Sequence, residues 1–394
     1  MDVVKRRYMA NSALAGNDRS PSLDILRGYA ALIVVFAHTT VAGLYKVEPL
    51  WGFLKWTPLR VLWAGHQAVI VFFMLSGYAL AHMYGELRSR RYVTFAAARI
   101  VRLYPPLIAS LVVALGIYWL VARAGFAWEK GWMYTAHPHP DKQMIVDHLK
   151  MVGSYDTTAI NPPMWSIVHE MRLSLAFPVI ALLVWRLRFK AVILAVVSSM
   201  LIGIAALAGS PSHIPWPLQD ALLTTHYGTF FVIGAWFYSC RARILSWAHA
   251  RPPASRAMLW VIALALFAYP FDNPWSMGAR VFGDLGSSTG AFLLMALSFT
   301  IQPGRIYRVG HYLGKISYSL YLNHYVMLSI SLVILYPRFG AVPVWFATVF
   351  GALVLSFVMN RLVEVPSQNG ARALRRKFSP RTSAYSGNGV NIRP

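Results

Sequence analysis

Stretches of about twenty predominantly apolar residues recur along the whole of this 394-residue chain, and each is long enough to cross a hydrocarbon core about 30 Å thick. They fall at residues 22–44, 62–84, 103–123, 164–185, 190–209, 221–239, 257–271, 285–302, 315–336 and 342–363. The expected fold is therefore all-α: a polytopic transmembrane helix bundle of about ten spans, with both termini cytoplasmic. Composition agrees, since 57% of residues are apolar and only 13% charged.

The formal charge of +23 has to be sorted by loop before it is read as a ligand signal. Arg and Lys crowd alternate connections: Arg88, Arg90 and Arg91 with Arg99 and Arg102, then Arg186 and Arg188, Arg241 and Arg243, Arg305 and Arg308, and Arg372, Arg375 and Arg376. The intervening loops are nearly neutral, so the excess marks the cytoplasmic side and predicts no nucleic-acid partner. Residues 1–21 form a basic cytoplasmic segment, 22–377 the membrane domain and 378–394 a disordered tail. No short apolar run with a small-residue cleavage site precedes the first span, which therefore serves as an uncleaved anchor. The one cysteine, Cys240, excludes a disulfide framework and a Cys-rich metal site. Residues 124–163 are expected to form an extracytoplasmic loop.

Four strings stand out from this background. In SLDILRGYAALIVVFAH, His38 follows Arg27 by eleven positions, about three helical turns and about 16 Å, so the two share a face with Asp24 one turn below. An ionisable side chain at that depth marks a pathway or site by default, although a neighbouring helix can also satisfy a core histidine. In ARIVRLYPP, Arg99 and Arg102 are neighbours on one helical face. They read either as topology signals or as a planar, permanently charged grip for a phosphate-bearing cofactor.

In PPMWSIVHEMRLSLAFP, Glu170 lies near Trp165, His169 and Arg172. Its carboxylate either pairs with Arg172 or grips sugar hydroxyls beside an aromatic ring. In FFMLSGYAL, Ser76 and Gly77 suit close helix packing better than nucleophilic chemistry. His324, in ISYSLYLNHY, either faces His38 or bonds Asn323.

Taken together and in this order, these strings resemble the acyltransferase-3 family of polytopic membrane acyltransferases. LDILRGYAALIVVFAH is similar to the family's first-helix motif, FFMLSG, RIVR before Tyr-Pro-Pro and WSIVHE to the next three, and ISYSLYLNHY and VEVPSQNGARALRR to the last two. The resemblance implies transfer of an acyl group, usually acetyl, from cytoplasmic acyl-CoA to a hydroxyl of an extracytoplasmic glycan or lipid-linked saccharide such as a polysaccharide or lipopolysaccharide. It places the protein in a bacterial cytoplasmic (inner) membrane, with acetyl-CoA as donor and no metal.

On this reading His38 is the general base, with Arg27 and Asp24 tuning it, and Arg27, Arg99 and Arg102 hold the donor. Glu170, Trp165, His169, Ser76 and His324 meet the substrate, and Ser76, Tyr78 and Asn323 are candidate oxyanion donors. Direct transfer and an acyl-histidine relay both fit. Two departures accompany the likeness. Ile70 stands where the family often has Asp, so that acid's role is absent or passes to His66 or Gln67, and the chain stops without the periplasmic hydrolase-like domain of many members. A proton-coupled transporter, an acyltransferase acting on a small molecule such as an antibiotic, and a non-enzymatic scaffold are the rival readings. Scarcity of mid-span carboxylates counts against the transporter.

The charge alternation is tested by replacing Cys240 with Ser and introducing cysteine at Pro140 or Pro380. In intact cells an impermeant thiol reagent should label position 140 and spare 380; equal labelling would overturn the orientation.

Overall fold

A computed structural model describes residues 20–40, 53–86, 92–124, 140–208, 215–269 and 276–377. Thirteen α-helices lie among them: α1 (Pro21–Thr39), α2 (Gly65–Glu86), α3 (Tyr92–Arg123), α4 (Lys142–Lys150), α5 (Met164–Leu175), α6 (Phe177–Leu187), α7 (Phe189–Ala208), α8 (Trp216–His249), α9 (Pro253–Ala268), α10 (Met277–Ser298), α11 (Arg305–Phe339), α12 (Ala341–Met359) and α13 (Val365–Lys377). Every expected interval falls on a helix or on the α5–α6 pair. Seven helices are long and apolar enough to cross a membrane, and eight spans result if α5 and α6, bent by 62°, count as one. Of the remaining two intervals, one falls on α8, which carries Asp220, His226, Arg241 and Arg243 along its length. The other falls on α9, whose 16 residues rise only about 24 Å. The expected basic segment and tail lie outside the described residues, apart from Ser20 and Pro21.

The sequence expectations shift in three places. Helix α3 begins eleven residues before its expected span and runs through Pro105 and Pro106, so Arg99 and Arg102 belong to a continuous helix. The fourth interval breaks at Ala176, because Pro178 in the first turn of α6 has no N–H to extend the α5 ladder. Of the expected 124–163 loop, residues 125–139 lie outside the described residues, and 140–163 hold a short helix and a buried stretch. Asp141 caps α4 by accepting from the Met144 amide at 2.8 Å, and the stretch 159–163 is buried. Asn161 Nδ2 there donates to the Leu322 carbonyl at 2.8 Å, and Tyr118 donates to the Ile160 carbonyl at 3.1 Å, tying the segment to α11 and α3.

The core is organised around α2, whose Ala68, Val69, Ile70, Val71, Phe73, Met74 and Leu75 are all buried. A helix apolar on every side belongs in the interior. Helices α7, α9 and α12 instead expose Leu194, Leu201, Val261, Phe346 and Phe350, as lipid-facing helices do.

Two close crossings fix the register. On α1 and α11, a Cβ at Gly314 would overlap the Asp24 carbonyl and one at Gly28 the Gly310 carbonyl. On α2 and α8, a Cβ at Gly77 would overlap the Phe231 carbonyl and one at Gly234 the Met74 carbonyl. Small residues let helix backbones meet in this way, so packing is the role of Gly77, and α2 runs through it without interruption. Gly234→Val should leave little monodisperse protein after detergent extraction. Gly116→Ala, where a Cβ meets nothing within 4 Å, should hold or raise the Tm. Equal behaviour of the two variants would mean that the crossing tolerates a side chain.

Candidate active site

The α1–α11 crossing turns one face of α1 inward. At its Arg-rich end Arg27 Nη1 meets Asp24 Oδ1 at 3.3 Å, and Nη2 reaches the Leu75 carbonyl at 3.5 Å. Three turns on, His38 faces His324 of α11 with Nδ1 and Nε2 3.2 Å apart. Carbonyl oxygens only accept, which assigns both tautomers. His324 Nδ1 lies 3.1 Å from the Leu320 carbonyl and so carries a proton, leaving Nε2 as a lone pair. His38 Nδ1, 2.9 Å from the Val34 carbonyl, also carries a proton and shares it with His324 Nε2. His38 Nε2 is then an unprotonated nitrogen backed by a second imidazole. The Tyr325 ring stands edge-on to His38 at 5.5 Å. Of the two fates expected for His324 the structure realises the contact with His38, and Asn323 Nδ2 turns instead to the Ser319 carbonyl at 2.8 Å.

The second set lies where α2, α3, α5 and α11 meet. Arg99 is 4% exposed, too buried for a residue that merely marks a membrane surface. Its Nη2 donates to Glu170 Oε1 at 3.1 Å and Ser174 Oγ at 2.9 Å, and Ser76 Oγ donates to the same Glu170 oxygen at 2.9 Å. Glu170 therefore neither pairs with Arg172 nor stands with His169. One turn geometry explains it: successive residues on α5 point about 100° apart, so Glu170 faces α3 while His169 faces α8. Arg27, Ser76, Arg99, Arg102, Glu170, Tyr318 and Tyr321 line one cleft. Towards the Arg-rich end it shares Arg27, Arg99 and Arg102 with a recess also walled by Arg372 and Arg375. At the other end Tyr321, whose hydroxyl lies 2.6 Å from Ser166 Oγ, has its ring 5.9 Å from that of His324.

Glu364, Arg372 and Arg375 complete this site although sequence reasoning gave the first no role and the others only a topological one. Asn360–Glu364 form a π-turn between α12 and α13, a distortion common at functional sites. Glu364 accepts from the Ser319 amide and hydroxyl at 3.2 and 2.6 Å and from Asn360 Nδ2 and Gln368 Nε2 at 2.9 and 2.8 Å. The available signal was the acid of VEVPSQNG, set within a long apolar run.

The third set gathers the other candidates. His169 Nδ1 lies 2.8 Å from Thr224 Oγ1, and Arg172 pairs with Asp220 at 2.8 Å. Trp165 stacks on His66 with ring centroids 5.8 Å apart, and His66 is bound to Asp284. Carboxylates inside the helices are thus less scarce than the sequence suggests: Asp284 and Glu364 are both buried. Of the oxyanion candidates, Tyr78 packs edge-on against Phe237 and Tyr238, Asn323 Nδ2 donates to the Ser319 carbonyl, and neither lines the cleft.

The family model for the acyltransferase domain, Acyl_transf_3, matches residues 20–361. The chain belongs to the acyltransferase-3 family, and with its apolar helices it is an integral membrane acyltransferase. No curated protein and no solved structure matches it.

Arg99→Met should destabilise the fold by on the order of 3 kcal/mol, because it leaves the half-buried Glu170 carboxylate without its ion partner. Adding Glu170→Met should recover most of that loss in thermal unfolding. If the double variant is no more stable than the single one, the pair is not what holds α3 to α5.

Proposed function

We propose that the protein transfers an acetyl or other short acyl group from acyl-CoA to a hydroxyl of an extracytoplasmic glycan or lipid-linked saccharide, with the Arg-rich end at the cytoplasmic face of a bacterial inner membrane. The observation that carries this reading is that the arginine-walled recess and the cleft share Arg27, Arg99 and Arg102, and that the cleft's Tyr321 has its ring 5.9 Å from that of His324, the partner of His38.

The donor's phosphates lie among Arg102, Arg372 and Arg375, where guanidinium forks suit them. Arg99 is held by Glu170 and shapes the wall. The pantetheine arm follows the cleft past Ser76 and Tyr318 and brings the thioester to His38. The acceptor hydroxyl gives its proton to His38 Nε2 as its oxygen bonds to the acyl carbon. The carbon–sulfur bond then breaks with its electron pair on sulfur, which takes the proton back from His38 and leaves as coenzyme A. His324 Nε2 holds the Nδ1 proton throughout and keeps the ring in the reactive tautomer. When Ser166 Oγ donates to Tyr321 rather than to the Pro163 carbonyl 3.4 Å away, the Tyr321 O–H is left to steady the oxyanion.

A crossed measurement tests this. With labelled acetyl-CoA and glycan-bearing membranes, His38→Gln should cut turnover by at least about 10²-fold and keep coenzyme A affinity, because the Gln amide takes up no proton. Arg102→Ala should do the reverse, weakening coenzyme A binding. Wild-type turnover in His38→Gln would leave the histidine a structural role, and absence of acetyl transfer by the wild-type protein would overturn the function itself.

A further inference from the structure

The cluster around Asp284 takes no part in the chemistry above, yet it joins four helices. His66 Nε2 of α2 lies 2.8 and 3.1 Å from the two Asp284 oxygens of α10. His226 Nε2 of α8 lies 3.0 Å from Oδ2 of the same carboxylate, and Ser199 of α7 bonds His226 Nδ1. A carboxylate only accepts, so both imidazoles present N–H at Nε2.

The two histidines then differ. His226 is fully buried and has both nitrogens engaged. His66 has a side chain 31% exposed, rests flat on Trp165, and makes no hydrogen bond at Nδ1 among the described residues. A carboxylate that pins one nitrogen of a histidine fixes the ring's tautomer and direction, and leaves the other nitrogen as an oriented lone pair. A tie that merely held helices together would need no exposed ring.

The location matters as much as the chemistry. Helices α1 and α2 are antiparallel, with Arg27 level with Leu75 at the Arg-rich end. At the other end a Cβ on Gly65 would overlap the Ala37 side chain, so His66 and His38 are each the next residue after that contact. Both histidines thus sit near one level of the bundle, away from the arginine-walled recess.

We propose that His66 is the acceptor-side binding residue, its Nδ1 accepting a hydrogen bond from a second hydroxyl of a polyhydroxylated acceptor, with Asp284 as the positioning residue behind it. This inference rests on the proposed acyl transfer. A sugar held by one hydroxyl at His66 presents a neighbouring hydroxyl towards His38, which explains how a site without a covalent acceptor handle selects a polyol over water.

His66→Gln isolates the idea, because the Gln amide reproduces the Nε2–H donor to Asp284 and lacks an acceptor in place of Nδ1. The assay uses purified protein, ¹⁴C-acetyl-CoA, and membranes from source cells deleted for the gene as the acceptor. The half-saturating amount of membranes should rise about tenfold, the scale of one hydrogen bond. Affinity for acetyl-CoA and the Tm should stay at wild-type values. Asp284→Asn should move the same parameter in the same direction, since an amide no longer dictates the His66 tautomer, and Asp284→Glu should restore part of it. Unchanged half-saturation in His66→Gln would overturn the inference while leaving the function standing, as would a joint fall in Tm and acetyl-CoA affinity. A wild-type protein that transfers no acetyl group overturns both.

Discussion

A guanidinium does not give up its charge, so carrying Arg99 into an apolar bundle obliges the fold to bring a carboxylate with it. Glu170 answers from α5, Ser174 sits one turn on from it, and Ser76 donates from α2 to the same carboxylate oxygen. Three helices are thereby held in one register by a single buried charge. The break between α5 and α6 follows directly after Ser174, so the bend does not disturb the turn that carries the pair. What the arrangement gains is a rigid wall: the cleft is bounded by a side chain unable to swing into lipid or water without unpairing an ion.

The same economy of contact appears at α1 and α11. Gly28, Gly310 and Gly314 let the two backbones approach until side chains would collide, and that closeness brings His38 within 3.2 Å of His324. A wider spacing would leave two isolated imidazoles. The carbonyls of Val34 and Leu320 then do what a carboxylate does in other histidine sites, assigning a proton to each Nδ1 and leaving a reactive nitrogen on His38.

How much of this was legible follows from which signals are local. The apolar runs and the register of Arg27 with His38 are properties of one helix at a time: the runs fall on helices, and Arg27 and His38 lie three turns apart on α1. The partner of Glu170 was not legible, because helical spacing tells which side a residue faces but not which helix lies there. The Asp284 cluster was less legible still. Its residues come from α2, α7, α8 and α10, share no spacing, and differ in depth; only His66, named as one residue to which the missing acid's role could pass, hinted at it. Glu364 shows the intermediate case, a residue inside a recognised string whose role depends on a π-turn that no local preference announces.

The two polar sets are kept apart by an aromatic partition. Phe73 lines the arginine cleft on one side and meets Trp165, Tyr227 and Phe231 on the other, with ring centroids 6.4, 4.9 and 5.9 Å away. Trp165 in turn carries His66 on its face. A donor in the arginine cleft and an acceptor at His66 would thus be separated by these packed rings. Such a partition limits the water that competes with the acceptor for the acyl group, which a transferase must do if it is not to become a hydrolase. Under the proposed function it also accounts for the position of His38 three turns from Arg27: the accepting nitrogen would have to lie beyond arginines that hold a donor and level with a residue that meets an acceptor.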